Sequence, residues 1–306
     1  MRTVLKGMSL VTAALSCFSL LVLSSAPAEA KFTVAATTTD LADLARIAGG
    51  DKVMAHSICD PGENPHEPNL TPSDKQIMRK ARLFLQNGLS LELWGDKLIA
   101  DSHNSNLIIV TCTKNVKVLE VPTGRIDPSM GDIHPEGNPH VLLNPTNAKI
   151  MMSNVLGGLM AVSPGDSDYF KNNVRAWFAQ LDAKVAEWTR QLAPYKGRPL
   201  VEYHASFTYL ADKFGFKIAN HVEPRPGIPP GPQHIRALVG QMKGQNIKVL
   251  ITEPFWPRQT AESVAKQTGA QLIELAGYPG ALPGTDNYIA MMDYNVRTLA
   301  HALAQG

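Results

Sequence analysis

One tripeptide occurs twice in this chain, and each copy ends in a histidine. Asn-Pro-His stands at 64–66 and again at 138–140, each time a few residues before a proline-started helix signal. In the first copy Thr71 or Ser73 is the expected N-cap around Pro72; in the second Asn144 caps, with Pro145 at the first helical position. His66 follows a strand-like run that ends near Cys59, and a third histidine, His204, directly follows the strand-like run RPLVEY (198–203). Such strand-end rims are where open α/β sheets hold ligands. Three imidazoles with no cysteine beside them form a donor set for zinc or a similar borderline divalent ion. The gaps of 74 and 64 residues between them are too wide for a local zinc finger. The site therefore requires two separately folded parts of the chain to meet.

The remaining candidates are weaker. His56 reads as a core residue, His103, His221 and His301 as surface or packing residues, and His234 as part of a helical first turn. His134 lies in the loop leading to His140 and is placed to touch metal transiently. Glu253, at the end of the run IKVLIT (247–252), is a possible fourth ligand or general base, and Glu202 a poorer one. No Gly-x-Gly-x-x-Gly, Walker loop, Gly-x-Ser-x-Gly elbow or His-Glu-x-x-His helix is present. A secreted zinc-dependent hydrolase is the enzymatic alternative, with the histidines holding a catalytic ion and Glu253 as base.

The elements that would position these residues alternate between strand and helix, as in parallel α/β sheets. FTVAATTT (32–39), KVMAHSIC (52–59), ARLFLQNG (81–88) and NLIIVTC (106–112) are expected strands. Helical patterns lie at 40–48, 73–80 and 94–103, and another runs from Pro145 to about 161. A long helix over 166–193 carries Phe170, Val174, Phe178, Leu181, Val185, Trp188 and Leu192 at three- and four-residue spacing. Beyond Pro194 the alternation restarts, with strands at 198–203, 216–222, 247–252 and 270–275 and helices at 206–214, 233–243, 258–268 and 287–304. The expected organisation is two tandem α/β lobes, 31–165 and 194–306, joined by the helix at 166–193.

Residues 1–30 read as a secretory leader: Arg2 and Lys6, an apolar stretch from Met8 to Leu23, and Ala28-Glu29-Ala30 as the cleavage pattern. Cys17 is out of register with a lipoprotein signal, so a lipid anchor is not expected. Removing Arg2, Lys6 and Glu29 from 29 basic and 27 acidic residues leaves a net charge of +1. That balance, without basic blocks, gives no footprint for nucleic acid or for a polybasic membrane anchor. Cys59 and Cys112 survive processing, and whether they pair is open.

The ordered segments together resemble the zinc and manganese receptors of bacterial ABC importers. They are Pro65 to Asp74, the turn Asn87 to Glu92, Pro139 to Pro145, the long helix, Tyr203 to Phe207, the strand ending in Glu253-Pro254, and Tyr288 to Asn295. The resemblance implies two α/β lobes joined by a rigid helix, with the ion in the cleft between them. It also implies a periplasmic, non-enzymatic, monomeric receptor that delivers its ion to a membrane permease. His66 and His140 match the two N-lobe ligands and His204 the first C-lobe ligand. Relatives selective for manganese tend to carry a carboxylate at that third position, so histidine leans toward Zn2+, with Mn2+ the alternative. The aspartate many relatives place after the last C-lobe strand is missing, since Ala276 and Gly277 stand there. The fourth ligand is left as water, Glu253 or Asp286. The long His-rich loop of many zinc-specific relatives is absent.

Overall fold

The computed structural model describes residues 31–124, 131 and 134–305, so the expected leader over 1–30 lies outside the described residues. Four strands, β1 (Phe32–Ala36), β2 (Val53–Ser57), β3 (Ala81–Gln86) and β4 (Ile108–Thr111), form a parallel sheet in the order β2-β1-β3-β4. A second parallel sheet repeats that order with β5 (Pro199–Glu202), β6 (Lys217–His221), β7 (Val249–Thr252) and β8 (Gln271–Glu274), arranged β6-β5-β7-β8. The first sheet is flanked by α1 (Thr39–Gly49), α2 (Pro72–Lys80), α3 (Gly95–Ser102) and α4 (Pro145–Val162). The second half adds α6 (Thr208–Phe214), α7 (Pro232–Gly244), α8 (Arg258–Thr268) and α9 (Tyr288–Gln305). In each sheet the order reverses beside the first strand, which leaves a crevice at the strand C-termini.

The proline-started helices form as their caps dictate. Asp74 accepts hydrogen bonds from both the Thr71 backbone N–H (2.6 Å) and its hydroxyl (2.7 Å) at the start of α2. The Asn144 side chain accepts from the Thr146 N–H (2.9 Å) at the start of α4. Both helices fill the N1 position with proline, whose missing N–H costs nothing there.

The long helix α5 (Ser167–Leu192) joins the halves and buries Phe170, Val174, Trp177, Leu181, Trp188 and Leu192. Trp177 takes the buried place expected of Phe178, which together with Val185 only borders the core. α9 returns from the second half to pack on α5 and α1. The Tyr288 hydroxyl donates to the Leu142 carbonyl (3.0 Å) and the Tyr288 N–H to the buried Asp43 carboxylate (2.8 Å). One continuous apolar cluster thus includes Leu83, Trp188, Leu200 and Met292 from both halves. Separating the halves widely would expose side chains worth about 1.5–3 kcal/mol each.

One expectation is corrected, and the pairing left open is found not to occur. His56 sits on the edge strand β2 and is partly exposed, because an edge strand has a neighbour on one side only. Cys59 and Cys112 are separate buried thiols. Burial, helped by nearby Glu63, pushes the Cys59 thiol up to about 12, so it is not a thiolate at neutral pH.

Candidate metal centre

The repeated Asn-Pro-His tripeptide is a turn that presents the imidazole. In each copy the asparagine side-chain oxygen accepts the N–H of the histidine two residues on, Asn64 from His66 (3.1 Å) and Asn138 from His140 (2.9 Å). An Asx turn with proline in the middle fixes φ and leaves the ring little freedom. The first turn is held from outside by the Trp94 indole, which donates to the Pro65 carbonyl (3.0 Å). The second is held by Asn87, whose amide donates to the Pro139 carbonyl (3.1 Å).

Asn138 also links the two halves. Its amide donates to the Ala205 carbonyl (2.7 Å) and to Glu120 (2.8 Å), and its own carbonyl accepts from the Tyr209 hydroxyl (2.9 Å). The loop carrying His140 is therefore tied to the residue that follows His204. The helix expected from 206 starts only at Thr208, as α6. Ser206 and Phe207 are drawn away by buried carboxylates: the Ser206 hydroxyl donates to Glu253 (2.5 Å) and the Phe207 N–H to Glu202 (2.7 Å).

These constraints bring three imidazoles together. One nitrogen from each of His66, His140 and His204 lies within 4.8 Å of the other two. The ring centroids stand 5.4, 5.5 and 5.3 Å apart, and the Nε2 atoms of His140 and His204 are 3.3 Å apart. A tetrahedral ion with zinc–nitrogen bonds of about 2.0–2.1 Å places its ligand nitrogens about 3.3 Å and its ligand rings about 5.2 Å from one another. The observed spacing suits such an ion. The Nε2 of His66 is sealed from solvent and has no hydrogen-bond partner.

Protonation also favours ligation. Burial, reinforced by the neighbouring imidazoles, holds His66 and His140 well below the usual histidine range, so both rings are neutral at pH 7. Glu223 accepts a hydrogen bond from His204 Nδ1 at 2.7 Å, in a pair that is almost wholly buried. That bond places the proton on Nδ1 and leaves the Nε2 lone pair facing His140. The His204 ring also stacks on Trp256, with centroids 4.9 Å apart. Glu223, which orients His204, is a residue of this cluster that the sequence reading missed. Its only signal was its position two residues after β6, at the edge of the proline-rich segment.

The carboxylates proposed as fourth ligand or base do not join this group. Glu253 is buried, its Oε2 accepting from Ser206 and from the Trp256 indole (3.0 Å), and its Oε1 has no partner. A Cβ at Gly277 would meet that Oε1 at 2.1 Å, so Glu253 fills the space a side chain at 277 would need. Glu202 binds the Phe207 N–H and His221 (3.0 Å), which makes it a brace of the His204 turn. Asp286 is exposed in the segment before α9. A cavity of about 260 Å³ opens onto His140 and His204 and is also lined by His134, His221, Glu120 and Glu223.

Comparison with known proteins gives this geometry a context. A family profile described as the periplasmic zinc-uptake complex component A, ZnuA, matches residues 34–302. The iron-binding protein YfeA of Yersinia pestis is 29% identical over 284 residues, 90% of this chain and 87% of that protein. The metal ABC transporter substrate-binding lipoprotein SloC of Streptococcus mutans is 27% identical over 310 residues, 95% of this chain and 97% of that one. The fold is shared with a crystal structure of ZnuA, at a TM-score of 0.77 and 20% identity over 90% of this chain and all of the other. The chain belongs to the ZnuA family, the substrate-binding proteins of metal ABC importers.

Proposed function

We propose that this protein is a monomeric, non-enzymatic periplasmic receptor that captures one zinc ion through His66, His140 and His204 and delivers it to the permease of an ABC importer. The observation that carries the reading is the convergence of three imidazoles, one from each of three distant loops, at the spacing of a tetrahedral nitrogen site. An all-nitrogen set favours zinc over manganese, which prefers oxygen donors. Glu253, the candidate base of the hydrolase alternative, is buried with its Oε2 held by Ser206 and Trp256 and its Oε1 against Gly277, outside the histidine group. The test is metal content after exhaustive dialysis of zinc-loaded protein. Wild type retains one equivalent, while His66→Ala, His140→Ala and His204→Ala each lose it; retention by all three would overturn the assignment.

The relative named as iron-binding supports a second reading, an iron or manganese receptor of the same family. Competition of zinc against manganese and ferrous iron on metal-depleted protein separates the two readings. The naming of SloC as a lipoprotein runs against the expectation of a cleaved, unlipidated leader. The mass of the protein isolated from the periplasm decides that point: cleavage after Ala30 gives a chain starting at Lys31, and lipidation gives a heavier, membrane-bound form.

A further inference from the structure

We propose that His134 supplies a fourth nitrogen to the ion, so that the site closes as four imidazoles. This rests on the receptor reading above and specifies the coordination that the three histidines leave incomplete.

The His134 ring lies 5.1 Å from the His66 ring, close to the 5.3–5.5 Å among the other three rings and to the spacing of two rings that share a tetrahedral ion. Its Nδ1 donates to the Ser90 carbonyl at 3.2 Å. With the proton fixed on Nδ1, the lone pair sits on Nε2, the ligating tautomer.

The carbonyl that sets this tautomer is itself held in place. Leu89 and Ser90 both adopt left-handed backbone conformations, with φ of 55° and 57°, which L-residues rarely take. The turn keeps that shape because the buried Glu92 carboxylate accepts the backbone N–H groups of Asn87 and Gly88 and the Thr37 hydroxyl. On its other side His134 is joined to the second Asn-Pro-His turn, since Gly137 N–H donates to the His134 carbonyl at 3.0 Å. The Gly137 φ of 107° then lets the chain turn back into Asn138. His134 also lines the cavity onto which His140 and His204 open.

Of the carboxylates near the trio, Glu223 accepts from His204 Nδ1 and Glu253 Oε2 from Ser206 and the Trp256 indole, while the unpartnered Glu253 Oε1 lies against Gly277. The nitrogens of His134 stand outside the 4.8 Å group, so it joins by a movement of its ring toward the ion. Four imidazoles make a site for zinc or cobalt that offers manganese no oxygen donor from the protein.

The test uses the mature chain with His134→Ala and His134→Gln, each first shown to unfold at the wild-type temperature without metal. Zinc affinity is measured by chelator competition, and Co2+ is used as a spectroscopic probe of coordination. The expected result is a zinc affinity lower by about 100-fold, at or beyond the upper end for outer-shell changes, because a ligand itself is removed. It is accompanied by a changed visible spectrum of the Co2+ complex. If either readout stays at the wild-type value, His134 is not a ligand. Loss of zinc by His66→Ala together with wild-type behaviour of His134→Ala would overturn this inference alone and leave the receptor reading standing.

Discussion

Replacing Glu223 by glutamine keeps the shape of the buried partner of His204 but removes its charge. The His204 Nδ1 to Glu223 Oε2 bond is 2.7 Å long, and the two side chains are 3% and 5% exposed, so little water screens the pair. A hydrogen bond to a charged group in such surroundings contributes about 1.5–3 kcal/mol. Carboxylate partners of metal-bound histidines contribute about 10–100-fold in affinity, about 1.4–2.8 kcal/mol, and the two estimates agree. When a dication binds neutral imidazoles, Glu223 is the carboxylate in direct contact with a ligand ring, so its charge matters most in the loaded state. Titration of metal-depleted Glu223→Gln against a chromogenic chelator at pH 7.5 is expected to give a zinc Kd raised about 10–100-fold, with Glu223→Asp between it and wild type. A Kd within about threefold of wild type would show that His204 is oriented without Glu223 and would refute the reasoning.

His66 and His140 are held below their unfolded value of 6.5, so the unfolded chain binds more protons as the pH falls. The stability they contribute is present above about pH 6.5 and is lost below it, so metal-free wild type should lose stability through this window more steeply than a His66→Ala/His140→Ala variant in thermal melts. Asp40 acts in the opposite sense: burial raises it from 3.8 to about 6, so ionising it in the folded state costs about 3 kcal/mol above that pH. Asp40→Asn is therefore expected to stabilise the protein by up to about 3 kcal/mol at pH 7.5, with the gain vanishing near pH 4, as read from denaturant melts at the two pH values. Gly277→Ala forces a Cβ against Glu253 Oε1 and should cost about 1–3 kcal/mol in the same assay; an unchanged melt would mean that Glu253 has room to move.

The fold was legible wherever a local signal and the tertiary structure agree. Arg258–Thr268 is a helix with the expected limits, and the prolines at 72 and 145 start α2 and α4 because their caps are encoded within three residues. Strand ends were overrun where polar residues are recruited by distant groups. β1 stops at Ala36, beyond which the Thr37 hydroxyl binds Glu92 and the Thr38 hydroxyl binds Asp40. His66 and His140 were legible because the repeated Asn-Pro-His is a local turn, and His204 because it directly follows a strand-like run. Glu223 was not, because its partner lies 19 residues away and nothing periodic joins them. His134 had no motif of its own; the Ser90 carbonyl that orients it comes from a turn 44 residues earlier.

The central claim is that His66, His140 and His204 hold one ion between them. It is tested most directly by anomalous diffraction at the zinc absorption edge, on crystals of the mature protein grown with one equivalent of zinc. The account predicts a single strong peak about 2.0–2.1 Å from one nitrogen of each of the three rings. A peak lying elsewhere, with these three imidazoles unligated, would contradict it.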